Sequence, residues 1–259
     1  MNNVVNLPNV LGVAGDWHGN TGWALKTIKR FHDNGVTHVV QLGDFGIWSG
    51  NDAAVFIRKV QRDLSKFGMT LYVVPGNHED YVRIEKCPVN PDTGLQHYTD
   101  NIVLMPRGFR LKSHGREILF LGGANSIDRE WRTPFISWWD GEQITLGDVY
   151  RSVEGGKADI MFCHDAPSGF TIPHETPNSA WTGYGLNYAR ESQEILRQVV
   201  DVVQPSLLMH GHHHVFHDTE VSFNSGTDIY STRVVGLDMD DRPASNAILN
   251  ISNLTLELI

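Results

Sequence analysis

Short apolar runs that stop abruptly at polar clusters recur along the chain. Residues 10–14 end in Gly15-Asp16-Trp17-His18-Gly19-Asn20, residues 36–42 meet Gly43-Asp44, and residues 70–74 stop at Pro75-Gly76-Asn77-His78-Glu79-Asp80. Runs this short, bounded by turn formers, have the length of buried strands rather than of helices. Between the first two, Trp23, Thr27, Ile28 and Phe31 recur at helical spacing up to Gly35, a C-terminal stop. Between the second and third, Asn51 or Asp52 is expected to cap a helix whose Ala53, Phe56, Ile57, Val60, Leu64 and Phe67 form one apolar stripe. The pattern reads β-α-β-α-β, which predicts a parallel sheet with helices on its faces. In such sheets ligands sit beyond the C-terminal ends of the strands, where all three polar clusters fall.

The middle of the chain is less regular. Residues 80–100 carry few apolar positions and several turn formers, and short strands are expected at 102–105, 109–112 and 117–121. Residues 126–156 place Trp131, Trp138 and Trp139 with Arg129 and Arg132 among turn residues. Another buried run, 158–163, ends in His164-Asp165-Ala166-Pro167; a helix is expected over 188–203, and a strand over 206–209 ends in His210-Gly211-His212-His213-His214. Alternation through 215–221, 229–237 and 247–256 predicts an antiparallel finish. No repeat or linker divides the chain, so a single domain over 1–259 is expected, with loop insertions around 80–100, 126–156 and 168–187. Loops that long inside a compact domain are usually functional or flexible.

Composition narrows the function classes. Across 259 residues, 21 Lys plus Arg stand against 30 Asp plus Glu, a net charge of −9. Apolar residues at 41% and charged residues at 20% are near globular averages, which argues against disorder and coiled coil. The acidic balance argues against strong non-specific binding to nucleic acid or to an anionic membrane. Two distant cysteines, Cys87 and Cys163, make neither a disulfide framework nor a cysteine zinc site. With no basic and apolar leader and no run near the roughly 18 apolar residues of a membrane span, a soluble cytoplasmic protein is expected. What stands out is thirteen histidines.

Five strand ends deliver, in order, Asp16 with His18, Asp44, Asn77 with His78, His164, and His212 with His214. Imidazole nitrogens mixed with carboxylate and amide oxygens suit Mn, Fe, Zn or Ni rather than the oxygen-only shells of Mg and Ca. Side chains at i and i+2 of an extended segment project to the same side, so Asp16 with His18, and His212 with His214, can each reach one ion. A carboxylate has two oxygens and can bridge two cations. His32, His38, His97, His114, His174 and His217 lack ligand-like spacing, and His210 and His213 are expected to point away from the metals. Asp165 reads as a turn residue and Cys163 as a buried strand residue. Trp138 and Trp139 read either as packing residues or as a base-stacking surface.

In this order the residues resemble the calcineurin-like metallophosphoesterases, marked by D-x-H, G-D, G-N-H-E/D, a lone H and G-H-x-H. The resemblance spans residues 16–214 and implies an α/β fold of the four-layer αββα sandwich type with a two-metal site. It implies Asp16, His18, Asp44 and His214 on the first ion. Asp44 bridges to a second, which also takes Asn77, His164 and His212. The ions implied are two divalent cations, Mn²⁺ foremost, with Fe, Zn or Ni as alternatives. Two such ions outweigh the charges of Asp16, Asp44 and a bridging hydroxide, so the site stays electropositive within an acidic chain. The activity implied is metal-dependent phosphoester hydrolysis by attack of that hydroxide, with His78 as catalytic acid or hydrogen-bond donor to the leaving oxygen. The family often reads G-D-x-x-D, followed in its protein phosphatases by an Asp-Arg pair; here Ile47 stands at the second Asp position. That argues against a phosphoprotein phosphatase and leaves Arg129 and Arg132 as candidate phosphate contacts, with Arg107 competing. The expected substrate is a small nucleotide or cyclic nucleotide diester, 2′,3′ or 3′,5′. The alternatives are a phosphomonoesterase, a nuclease, whose basic groove the −9 balance and the lack of a Lys/Arg run speak against, and a binding scaffold, which should have lost ligands that are all present here.

Overall fold

A computed structural model describes residues 5–173, 181–226 and 228–259. The chain opens with β1 (Val10–Ala14), α1 (Thr21–Asp33), β2 (His38–Gln41), α2 (Asn51–Phe67) and β3 (Thr70–Val73). It continues with α3 (Tyr81–Glu85), β4 (Gln96–His97), β5 (Ile102–Leu104), β6 (Phe109–Ser113) and β7 (Arg116–Leu121). Then come α4 (Leu146–Glu154), β8 (Ile160–Cys163), α5 (Gly183–Val203), β9 (Leu207–His210), β10 (His217–Asn224), β11 (Ile229–Gly236), β12 (Asn246–Asn250) and β13 (Leu256–Leu258). One sheet runs β13-β12-β1-β2-β3-β5-β4 and the other β10-β11-β9-β8-β7-β6. As the pattern predicts, β1, β2 and β3 are parallel neighbours; β7, β8, β9 and β11 form a second parallel set.

The short apolar strands are buried on both faces, as parallel strands must be. Leu11, Val13, Val40 and Tyr72 of the first sheet meet Phe120, Phe162, Met209 and Val235 of the second between the sheets. On the outer face of the first sheet, Val39, Leu71 and Val73 pack with Ile28 and Phe31 of α1 and with Phe56, Val60 and Leu64 of α2. On the outer face of the second, Met161, Cys163 and Leu208 pack with Leu196, Val199, Val200 and Val203 of α5, with Val149 and Val153 of α4 beside them. Successive strand residues therefore feed different cores, and the layers stack helix, sheet, sheet, helix. Among the described residues, no helix is long and apolar enough to cross a membrane.

The differences from expectation lie at helix starts and inside the loops. The cap of α2 is Gly50, at φ 103° and with no side-chain cap hydrogen bond, so Asn51 and Asp52 occupy the first turn instead. There the Asp52 charge complements the positive end of the helix dipole. Helix α5 begins at Gly183 rather than at Tyr188, capped by Thr182, whose hydroxyl accepts the Gly185 N–H. Gly183 and Gly185 weaken the local helix signal. Within 126–156 lies α4, started by a capping box between Thr145 and Asp148, and within 80–100 lie α3 and β4.

Phe162 sits fully buried between the sheets, its ring 5.4 Å from that of Phe120. Phe162→Ala is expected to cost about 3–5 kcal/mol of unfolding free energy, read from the shift of a urea denaturation midpoint.

Candidate metal centre

The strand ends of both sheets meet at one rim. Past β1 the chain turns through Asp16 and His18 and enters α1, whose cap Asn20 accepts the Trp23 N–H at 3.1 Å. Past β2, the Asp44 carbonyl receives the N–H groups of Trp17 at 3.2 Å and His18 at 2.7 Å, locking the first two turns together. Glycines allow the packing. A Cβ at Gly43 would run into the His164 ring, one at Gly76 into the Asp44 carboxylate, and one at Gly211 into that of Asp16. His18, Asp44, His212 and His214 all hold positive φ, at 45°, 50°, 64° and 52°. Side-chain-bearing residues adopt that region at a cost of about 1–3 kcal/mol each, and such positions gather where geometry serves function.

Two donor groups share Asp44. Asp16, His18, Asp44 and His214 bring ligand atoms within 4.8 Å of one another, and so do Asp44, His164 and His212. His214 Nε2 lies 3.0 Å from Asp16 Oδ2, while His18 Nε2 lies 3.9 Å from Asp16 Oδ2 and 3.7 Å from Asp44 Oδ2. On the other side, His164 Nε2 is 3.4 Å from Asp44 Oδ1 and 2.9 Å from Asn77 Oδ1. Donors bound to one ion at ~2.1 Å stand roughly 3–4 Å apart, so the residues present would fit two divalent cations, with Asp44 common to both donor groups. The chemistry fits as well, because Asp16 and Asp44 are buried carboxylates whose ion-pair partners among the described residues are imidazoles.

Each donor is aimed by a partner outside the cluster. His164 Nδ1 donates to the Leu42 carbonyl at 2.6 Å, which leaves Nε2 with its lone pair toward Asp44 and Asn77. His18 Nδ1 is 2.9 Å from Asp240 Oδ1, and Asp240 is itself held by Asn20 Nδ2 at 2.7 Å. Burial opposes protonation of His18, yet Asp44, Asp16 and Asp240 together hold its pKa up to about 10. His212 goes the other way: loss of solvent around its ring lowers it to about 3, so it stays a neutral ligand. Asp16 accepts the His212 N–H at 3.1 Å on Oδ1. Glu79 is fully buried and accepts the N–H groups of Phe45 at 2.7 Å and Gly46 at 3.4 Å, pinning the turn that carries Asp44. Burial and then the Asp44 charge push its carboxyl up to about 7.

A cavity of about 660 Å³ opens over the second group, with Asp44, Asn77, His78, His212 and His214 on its floor. Arg132 lines it, its Nη1 2.6 Å from His78 Nδ1 and its Nη2 3.0 Å from Nε2. A guanidinium only donates, so it sets donors against both His78 ring nitrogens, of which Nε2 lies 3.7 Å from Asp44 Oδ2. Burial lowers the His78 pKa, Asp44 opposes that shift and Arg132 adds to it. Arg129 and Arg107 are engaged elsewhere. The Arg129 guanidinium lies 3.5 Å from the centre of the Trp138 ring, and Arg107 donates to the carbonyls of Gly141, Glu142 and Gln143.

Comparison with known proteins decides the family. Residues 10–216 match the family model described as Calcineurin-like phosphoesterase. The chain belongs to the calcineurin-like phosphoesterases. The solved structure of TT1561 of Thermus thermophilus is 13% identical, with a TM-score of 0.52 and 96% of each chain covered. That of a dimetal phosphatase from Danio rerio is 14% identical, with a TM-score of 0.50, covering 96% of this chain and 95% of that one. At such identity the likeness is one of fold. No curated protein matches the sequence.

Within this calcineurin-like phosphoesterase the structure brings together all seven ligand candidates and His78. His213 lies outside both donor groups that share Asp44; it lines the cavity, with Nε2 3.0 Å from Asp165 Oδ1. His210 does turn away, buried with its Nε2 2.9 Å from His217 Nε2. Asp165 caps its own turn through the Ala166 N–H and also accepts from Ser192. His174 lies outside the described residues. Sequence reading missed Arg190 and Trp181, which line the cavity, and Asp240. None of the three stands in a motif; only the fold brings them to the rim. Trp139 is buried in the core beneath α1 and α2, and Trp138 donates to Glu142 at 2.7 Å, so neither faces the cavity as a stacking surface.

Asp44→Asn is expected to lower occupancy at both metal positions, whereas His164→Ala lowers one; metal content per chain after Mn²⁺ loading and desalting reads the difference. Because metal-free His18 stays protonated below about pH 10, the first ion must displace that proton. Its affinity is therefore expected to rise about tenfold per pH unit across the neutral range. Calorimetry at pH 7.5 in buffers of different ionisation enthalpy checks the proton release.

Proposed function

We propose that the chain hydrolyses a small phosphodiester, a nucleotide or cyclic nucleotide, in a metal-dependent reaction. The observation that carries this reading is Asp44, shared by two donor groups and lining a nucleotide-sized cavity with His78 and Arg132 on its wall. A volume near 660 Å³ falls in the range of small-molecule sites rather than of an extended groove. A bound pair of divalent cations, Mn²⁺ by preference, supplies Lewis acidity and activates the attacking water.

The chain's own residues do the rest. His78 presents Nε2 beside Asp44, where a leaving oxygen departs, and in the tautomer that carries the proton on Nε2 it donates a hydrogen bond to that oxygen. Arg132 orients the His78 ring and offers its charge to a phosphate oxygen. Asp128 takes the other side of the Arg132 guanidinium at 2.5 Å and the Ser137 carbonyl accepts at 3.0 Å, so the cation is held in place. Ile127, Trp181, Leu186 and Val215 give the cavity an apolar side suited to the organic part of the ester. Within this reading the enzyme works in the cytoplasm, where the unpaired Cys87 and Cys163 stay reduced. A phosphomonoester is the second reading, favoured by Arg190, which lines the same cavity as Arg132, since a dianion pairs with two cations.

Purified protein loaded with Mn²⁺, and in parallel with Fe²⁺, Zn²⁺ or Ni²⁺, is expected to turn over 2′,3′- or 3′,5′-cyclic nucleotides faster than phosphomonoesters or oligonucleotides. Absence of diester turnover with every metal sinks the reading. His78→Ala is expected to lose about 10²–10⁴-fold in rate for diesters with poor leaving groups while keeping its metals. Unchanged rates remove His78 from the reaction.

A further inference from the structure

Asn77 is a weak and ambiguous ligand compared with the histidines around it. Its side chain has an oxygen that can bind a cation and an NH₂ that repels one, and a half-turn about the last bond exchanges them. The fold must therefore fix the amide. Asn77 Nδ2 donates to Ser126 Oγ at 2.9 Å, and Ser126 Oγ in turn donates to Glu142 Oε2 at 2.5 Å. A carboxylate only accepts, so Glu142 takes the single proton of the Ser126 hydroxyl. What Ser126 then shows Asn77 is a lone pair, to which only the NH₂ can answer. The amide oxygen is left facing His164 Nε2 and the second donor group.

The chain of contacts is buried throughout: Asn77, Ser126 and Glu142 are 2%, 1% and 0% exposed. Glu142 also accepts the Ser126 N–H at 3.0 Å, the Trp138 indole N–H at 2.7 Å and the Tyr188 hydroxyl at 3.1 Å. Burial raises its pKa, and these hydrogen bonds pull it back. A buried carboxylate with four donors aimed at it carries more polar groups than closing a loop requires. Trp138 adjoins Ser137, whose carbonyl holds Arg132, and Tyr188 belongs to the helix whose Leu186, Ala189 and Arg190 line the cavity.

We propose that Glu142, acting through Ser126, is the positioning residue that sets the Asn77 amide for the second cation and ties that cation to the walls of the substrate cavity. Glu142 itself touches neither metal nor substrate. The proposal rests on the two-cation reading above, and its test is read from metal binding rather than from turnover.

The experiment is calorimetric titration of Mn²⁺ into the full chain and into Ser126→Ala, Glu142→Gln, Ser126→Thr and Asn77→Ala, with thermal melts alongside. Ser126→Ala and Glu142→Gln are expected to weaken one ion about 10- to 100-fold and leave the other at its wild-type affinity, the pattern expected of Asn77→Ala. Ser126→Thr keeps the hydroxyl and is expected to restore wild-type binding, which a general packing defect would not predict. If Glu142→Gln fails to fold, Ser126→Ala and Ser126→Thr still decide. Two ions held by Ser126→Ala at wild-type affinity, or both weakened equally, overturn the positioning role and leave the two-cation reading standing. A wild-type chain that takes up only one ion overturns the two-cation reading and this proposal together.

Discussion

Burying two carboxylates side by side is the constraint on which the structure turns. Asp16 and Asp44 follow adjacent parallel strands and are 0% and 1% exposed. An unpaired buried charge is costly, and among the described residues no Lys or Arg pairs with either one. Their partners are imidazoles, backbone N–H groups and a geometry sized for divalent cations. The two-sheet architecture makes this possible, because only the C-terminal edges of two parallel strand sets, facing one another, deliver donors from both sides of a single point.

Much of this was legible in the chain. Apolar runs ending at Asp16, Asp44, Asn77, His164 and His212 announce parallel strands with polar ends, and parallel order alone carries those ends to one rim. The D-x-H, G-D, G-N-H-E and G-H-x-H residues carry the family, since their glycines and donors are contiguous and few substitutes exist for either. Helix starts were less legible. Gly50 caps α2 without a side chain, and Gly183 begins α5 through two glycines, so the usual signals are absent where the helices begin.

The orienting partners were the least legible. The Leu42 carbonyl, Asp240 and Ser126 aim His164, His18 and Asn77, but each belongs to a segment with no spacing rule that ties it to its ligand. Such residues are chosen by direction rather than by chemistry, because any acceptor in the right place would serve. The same holds for the cations. Arg107, Arg129 and Arg132 look alike in sequence, and only packing separates a loop latch, an aromatic stack and a cavity residue.

One pairing sets the order in which the molecule can be completed. β1 lies between β2 and β12, so its far neighbour comes from Asn246–Asn250, and His18 is aimed by Asp240. A chain made from its N-terminus has Asp16, His18 and Asp44 in hand early, yet lacks both the outer carboxylate and the closing strand until Asp240 and then β12 have been synthesised. Long-range pairing of this kind slows folding, and it keeps the first donor group unfinished while the chain grows. The outer carboxylate and the strand that closes the sheet beside β1 thus both lie downstream of every ligand in the chain.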